Sequence, residues 1–273
     1  MQLDPIAVNA GLRLEHLGTI GSTNAEARLR AQQGDGGLLW ITATAQTLGR
    51  GRHGRIWISP PGNLYASLLL RDPSPFEHAQ QLAFVAALAL RDAVALEAET
   101  VVPQLKFKWP NDLLLDGRKC AGILIEGEAA PDGEAGKRFV VVIGIGVNCS
   151  SHPPTGDGNA GFSATDLRAH GAAITPEQLF ARLSATMCGR LRQWDRGRGF
   201  PVILDDWLTH VRGIGEPIAV RNGDAEMQGR FVGLDHSGRL VLERSDGGIA
   251  KIAAGDVFPF TARGQGGPLG RPG

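Results

Sequence analysis

Residues 139–147 read Phe-Val-Val-Val-Ile-Gly-Ile-Gly-Val, an almost unbroken run of aliphatic and β-branched side chains that stops at Asn148. A strand facing water on one side alternates apolar with polar residues. A run without alternation predicts a central strand with both faces covered. The chain is thereby constrained to a sheet-centred fold with other elements packed against that sheet.

Other segments supply the partners. Leu12 to Ile20, Leu38 to Ala45 and Leu64 to Leu70 read as strands. Lys106 to Leu115 and Lys119 to Glu128 read as two more, joined by the tight-turn dipeptide Asp116-Gly117. A helix is expected after Gly21-Ser22, with Thr23 and Glu26 at capping-box spacing and a stop near Gly34. Leu82, Val85, Ala86, Ala89, Ala93 and Leu96 recur at helical spacing, which predicts a long, largely buried helix. Thr175-Pro176-Glu177 opens another, with an apolar stripe from Leu179 to Trp194, and Phe200 to His210 predicts a shorter one. After Arg212 short β-like runs are separated by Asn222-Gly223, Ser237-Gly238 and Asp246-Gly247, the texture of a small β-barrel. The expected organisation is a main domain over 1–212, a small β-domain over 213–262 and a disordered tail over 263–273.

Lysine plus arginine (28) balances aspartate plus glutamate (28), so no global field draws the protein to DNA or a membrane surface. Anion recognition has to be local. The longest apolar run, Leu82 to Leu90, is shorter than the roughly 20 residues of a membrane span. The first ten residues carry Asp4 and Pro5 where a secretory signal would be basic and then apolar. A cytoplasmic protein is expected. Cys120, Cys149 and Cys188 have neither disulfide-framework nor zinc spacing and read as buried thiols. Asn148-Cys149-Ser150 matches a glycosylation pattern by chance.

Two segments carry chemistry. Gly49-Arg50-Gly51-Arg52-His53-Gly54-Arg55 combines glycines that allow close backbone approach with planar, permanently charged donors, and it lies in a long loop from Gln46 to Asn63. It suits phosphate or carboxylate. An Arg/Gly-rich nucleic-acid segment or a solvated loop would read the same way. Lys108-Trp109-Pro110-Asn111-Asp112 and Arg118-Lys119-Cys120-Ala121-Gly122 place basic and polar groups on adjacent predicted strands. There Asn111 and Asp112 could serve Mg²⁺, and Lys119 could bridge two anions; a hairpin with a solvated charged end is the plainer alternative. Gly136-Lys137-Arg138 lacks the rest of a P-loop, and Gly144 to Cys149 puts a cysteine where a dinucleotide fingerprint needs its third glycine.

Taken in order, Gly21-Ser22-Thr23-Asn24, Gln46 with Gly49 to Trp57, Lys108 to Asp112, Lys119 to Glu126 and Gly144 to Asn148 resemble the motifs of biotin-protein ligases. The resemblance runs from about Gly18 to Asn148, and more weakly to Asp256. It implies an α/β catalytic domain with a mixed sheet, of the class II synthetase and biotin ligase type, followed by an SH3-like β-barrel. It further implies a two-step reaction. Biotin and Mg²⁺-ATP form biotinyl-5'-adenylate, which then acylates one lysine of a biotin carboxyl carrier domain.

By the same resemblance Ser22, Thr23, Asn24, Gln46, Gly49, Arg50, Arg52, Lys119 and Gly122 would bind biotin. Arg50, Arg52, Arg55, Trp57, Lys108, Asn111 and Asn148 would hold ATP and the adenylate. Lys119 and Arg52 would be catalytic and Asp112 would hold the metal. Cys120 stands where the family commonly has an aliphatic residue, and reads as a small core side chain. With few residues ahead of Leu12 for a helix-turn-helix, DNA binding is not expected. The alternatives are a lipoate or octanoate ligase or transferase of the related fold and, from another class, a nucleic-acid-binding module.

Overall fold

The computed structural model describes residues 1–129, 139–154, 163–223 and 225–259. The anticipated tail from Gly264 and the Gly136-Lys137-Arg138 segment lie outside them. Internal contacts divide the chain into two compact units, Met1–Arg212 and Gly213–Gly273.

The larger unit opens with a short helix, α1 (Pro5–Asn9), and then builds a seven-stranded sheet. Its strands are β1 (Arg13–Ile20), β2 (Leu39–Gln46), β3 (Leu64–Arg71), β4 (Leu105–Lys108), β5 (Asp112–Leu115), β6 (Arg118–Ala129) and β7 (Phe139–Val147), in the spatial order β1-β2-β3-β7-β6-β5-β4. β1 and β2 are parallel and every other pair is antiparallel. The sheet is mixed, as expected, and β7 lies at its centre.

Alternation along the strands explains why β7 is apolar throughout. Leu39 and Ile41 of β2 and Val140 and Val142 of β7 point to one face, where they pack with Ala27 and Ala31 of α2 (Thr23–Gln32). Trp40 points to the other face and meets Phe180 of α4 (Pro176–Trp194) edge-on, with ring centroids 5.5 Å apart. α3 (Leu82–Glu97) packs on α4 and against β6 and β7. Helices therefore cover both faces of the sheet. Each fully buried large apolar side chain here contributes roughly 1.5–3 kcal/mol. The opening of α4 is a complete capping box. Gln178 N donates to Thr175 Oγ1 (3.2 Å) and Thr175 N donates to Gln178 Oε1 (3.0 Å). α5 (Phe200–Thr209) closes the aromatic cluster, where Trp207 stacks on Phe107 at 5.3 Å.

Three expectations are corrected. Lys106 to Leu115 is not one strand: the chain reverses at Trp109-Pro110-Asn111, with Trp109–Pro110 cis, and Lys108 of β4 pairs with Asp112 of β5. A proline donates no ladder hydrogen bond, so a central strand could not run through it. At the start of α2 the N-cap position is Ser22, one residue earlier than Thr23, and its side chain makes no capping hydrogen bond. The nine-residue apolar run Leu82 to Leu90, too short by itself for a membrane span, sits inside a longer helical stretch that is apolar on average. A 3₁₀ segment precedes α3, and the combined run Phe76–Glu97 is long and apolar enough to cross a membrane, though 72% of its apolar window is buried inside the protein.

The smaller unit is a five-stranded antiparallel sheet of β8 (Pro217–Asn222), β9 (Ala225–Leu234), β10 (Leu240–Glu243), β11 (Ile249–Ile252) and β12 (Asp256–Pro259), ordered β11-β10-β9-β8-β12. It is an SH3-like β-domain. Its hairpins turn at the anticipated glycines. Gly223, Gly238 and Gly247 all have φ between 60° and 82°, a conformation that other residues adopt at a cost. Ile218, Val220, Phe231, Leu240 and Leu242 fill its core.

Candidate active site

One cleft, open to solvent, gathers residues that are far apart in sequence. Ser22, Thr23 and Asn24 enter it from the β1–α2 junction and Gln46 from the end of β2. Arg50, Gly51 and Trp57 come from the following loop, and Asn111 from the β4–β5 turn. Tyr65 of β3, Lys119 and Gly122–Leu124 of β6, and Gly144–Gly146 of β7 complete the lining. That loop is not featureless, since isolated bridges Gln46–Ser59 and Arg50–Ile56 fold it back on itself.

The polar end is a hydrogen-bond relay. Gln46 Oε1 accepts from the backbone N of Thr23 (2.8 Å) and from Thr23 Oγ1 (3.1 Å). Gln46 Nε2 donates to Ser59 Oγ (3.0 Å), which donates to the carbonyl of Trp57 (2.8 Å). Beneath it the buried Ser67 Oγ lies 2.8 Å from Thr23 Oγ1 and 2.6 Å from Asn24 Oδ1, while Asn24 Nδ2 donates to Glu126 Oε2 (2.7 Å). These amide and hydroxyl groups are held in one orientation, as recognition of a polar head group requires. Burial pushes the nearby Tyr65 hydroxyl up to about 12, and it donates to Pro60 O (2.7 Å).

The floor is made of missing side chains. Gly122 and Gly146 are cross-strand partners in β6 and β7, and the Trp57 indole lies over both. A Cβ on Gly146 would stand 2.6 Å from Trp57 Nε1, and one on Gly122 would stand 3.3 Å from Cζ3 of the same ring. Only glycine permits this approach.

The charged end is set by a β-bulge. Lys119 and Gly122 are three apart, so a regular strand would send them to opposite faces. Instead the β5–β6 register shifts: Leu113 pairs with Ala121 but Leu114 pairs with Lys119, leaving Cys120 as the extra residue. Lys119 is thereby turned to the cleft, where its Nζ would lie 3.4 Å from a Cβ on Gly122 and sits 5.3 Å from the Trp57 ring centroid. Cys120 is fully buried and its Sγ donates to Leu113 O (3.4 Å), which accounts for a small side chain there.

The remaining sequence candidates are not all in the lining. Arg50 is 4.0 Å from Glu126 and Arg52 donates to Asn111 Oδ1 (3.3 Å), so the loop arginines reach toward both flanks of the cleft. Gly49 packs behind Trp57, accepting from its N (2.9 Å), and Arg55 Nε donates to Arg52 O (3.2 Å). Asn148 is buried, and its amide donates to Thr165 O (3.0 Å), tying down the chain beside Lys119 rather than facing the cleft. Lys108 is not in the lining and pairs with Asp112 (3.4 Å). Tyr65 and Ser67 carry no sequence signal of their own, and Glu126, Gly144 and Gly146 fall inside motif spans that assign them no individual role. The available signal was two glycines at i and i+2 in a buried strand, which mark a close approach on one face.

Asp112 does not fit a metal. Its two oxygens face Lys119 Nζ (2.5 Å) and Lys108 Nζ (3.4 Å), and a carboxylate enclosed by two ammonium groups is a poor Mg²⁺ ligand. Burial alone would push its carboxyl up; the two lysines outweigh that and hold it below the usual carboxylate range. Among the described residues no group of three or more His, Cys, Asp or Glu side chains could hold a metal ion.

The cleft joins a polar recess and a bare glycine floor to one lysine and an arginine-rich flanking loop, groups that suit a small carboxylic acid beside a phosphate. Comparisons with known proteins give the class as ligases that attach such acids to proteins. Residues 19–148 match the biotin/lipoate A/B protein ligase family and residues 213–258 match the biotin protein ligase C-terminal domain. A biotin–[acetyl-CoA-carboxylase] ligase from Paracoccus denitrificans is 41% identical over 87% of this chain and 96% of its own length. One from Mycobacterium tuberculosis is 33% identical over 92% and 91%. The biotin protein ligase of Aquifex aeolicus, solved in complex with biotin and ATP, superposes with a TM-score of 0.74 at 25% identity, covering 90% of this chain and 97% of that one. The chain belongs to the biotin-protein ligase family.

Proposed function

We propose that this chain joins biotin to ATP, forming biotinyl-5'-adenylate and pyrophosphate, and then transfers biotin to one lysine of a biotin carboxyl carrier domain. The observation that carries the reading is the placement of Lys119 in the same cleft as the Thr23–Gln46 relay and the Gly122–Gly146 floor. A bicyclic ring with a polar head and an acidic tail matches a recess that is polar at one end, flat in the middle and cationic at the other.

In the first step a biotin carboxylate oxygen attacks the α-phosphorus and the bond to the β-phosphate breaks, releasing pyrophosphate. Both reactants are anions and repel each other, so the approach needs fixed cations. Lys119 supplies one between the carboxylate and the α-phosphate, while Arg50 and Arg52 flank the phosphates from the loop. In the second step the carrier's neutral amine attacks the acyl carbon, the carbon–oxygen bond of the anhydride breaks, and AMP leaves as the amine loses its proton. The loop over the cleft limits water's access to the anhydride. Mg²⁺ is expected to travel with the ATP phosphates. The three cysteines are free and buried, which agrees with a reducing compartment and supports a cytoplasmic setting for the reaction.

Biotin-dependent exchange of labelled pyrophosphate into ATP tests this reading without needing the carrier. Exchange with biotin and not with lipoate or octanoate is the expected outcome. Equal exchange with lipoate would assign the cleft to the other branch of the class, and no exchange with any of the three acids would overturn the ligase reading.

A further inference from the structure

We infer that Asp112 is a positioning residue for Lys119: it holds the lysine ammonium at the carboxylate end of the cleft, and it does not bind metal. The inference rests on the ligase reading above. Its basis is a three-residue cluster assembled by two independent features of the fold. The β4–β5 hairpin places Lys108 directly opposite Asp112, and the bulge at Cys120 turns Lys119 to the same side. Asp112 then has one oxygen for each lysine, 2.5 Å from Lys119 Nζ and 3.4 Å from Lys108 Nζ, with its side chain only 11% exposed.

The hairpin that carries Asp112 is itself pinned to β6. Asn111 Nδ2 donates to Ile123 O (2.5 Å) and Ile123 N donates to Asn111 O (2.9 Å), so the carboxylate is fixed relative to the cleft floor. Lysine is a point charge on a flexible stem, and an unrestrained one would spend much of its time in solvent. Its ammonium has three donors, so Lys119 can keep Asp112 and still donate to a bound carboxylate. Two ammonium groups and one carboxylate leave a net charge of +1 on the cluster. It attracts an anion without the mutual repulsion of two bare lysines. Removing Asp112 would free Lys119 to move away from the substrate.

The test compares biotin with biotinol, in which the carboxylate is replaced by an alcohol, binding to the full chain by calorimetry in metal-free buffer without ATP. In the wild-type protein biotin should bind more tightly than biotinol. In Asp112→Asn that preference should shrink by about tenfold with biotinol affinity held near wild type, while the melting temperature should fall because two half-buried ammonium groups lose their shared carboxylate. Asp112→Glu, which keeps the charge on a longer arm, should restore part of the preference and also serves if the asparagine variant folds poorly. An unchanged preference in both variants would overturn the assignment. So would a defect seen only as a raised Mg²⁺ requirement in the exchange reaction, since that is the signature of a metal ligand. Failure of the wild-type protein to bind biotin at all would instead strike the ligase reading itself.

Discussion

Gln46 and Thr23, the last residue of β2 and the first of α2, share a single oxygen: Gln46 Oε1 accepts both the backbone N–H and the hydroxyl of Thr23. The pairing follows from the parallel β1–β2 register, in which Ile20 lies beside Gln46 and the chain continues through Gly21 and Ser22 into the helix. Thr23 Oγ1 is thus oriented for the cleft and is not a helix cap.

Gln46→Ala should weaken biotin binding by at least about tenfold. It removes the acceptor of a buried backbone N–H, which costs ~1–3 kcal/mol, and releases Ser59 from the loop. Calorimetry with biotin, alongside a melting curve, separates lost affinity from lost stability.

Lys119→Ala should reduce biotin-dependent pyrophosphate exchange by on the order of 10²- to 10³-fold, the usual effect of deleting one group that stabilises developing charge. The fold should survive, since the side chain is 23% exposed and turned to the cleft. Full retained exchange in a folded variant would remove Lys119 from the mechanism.

Gly146→Ala should displace Trp57, because the added methyl would stand 2.6 Å from its indole nitrogen and 2.7 Å from Cε2. Overpacking of this kind costs ~1–3 kcal/mol, expected here as a rise of about tenfold in the KM for biotin. Gly127→Ala is the control. Its Cβ would meet nothing closer than 3.8 Å, and it should leave the exchange rate unchanged.

None of the three cysteines should react with iodoacetamide in the native protein at pH 8. All are buried, and burial pushes the Cys149 thiol up to about 12 and those of Cys120 and Cys188 above their ordinary value. A raised pKa means a neutral, unreactive thiol at this pH. In urea, mass spectrometry should find three adducts; rapid labelling of the native chain would show that these sites open.

Much of the architecture was readable because it depends on neighbours a few residues apart. The β-branched run from Phe139 to Val147, the Thr175-Pro176 helix start and the glycines at 223, 238 and 247 each act through local sterics and hydrogen bonding. The ordered motifs likewise named most of the cleft, from Ser22 to Gly122. The apolar pattern across Trp109-Pro110 reads as continuous strand, although the proline itself argues for a break, and the chain reverses there.

What the chain determined by itself was the identity of the chemistry-bearing groups and the elements that carry them. Only the tertiary structure decided their mutual placement. Strand register made Gly122 and Gly146 neighbours, a one-residue bulge at Cys120 turned Lys119 toward the cleft, and a hairpin set Lys108 against Asp112. Register and bulges are selected by packing between residues distant in sequence, where a shift of one position reverses the face of every side chain beyond it.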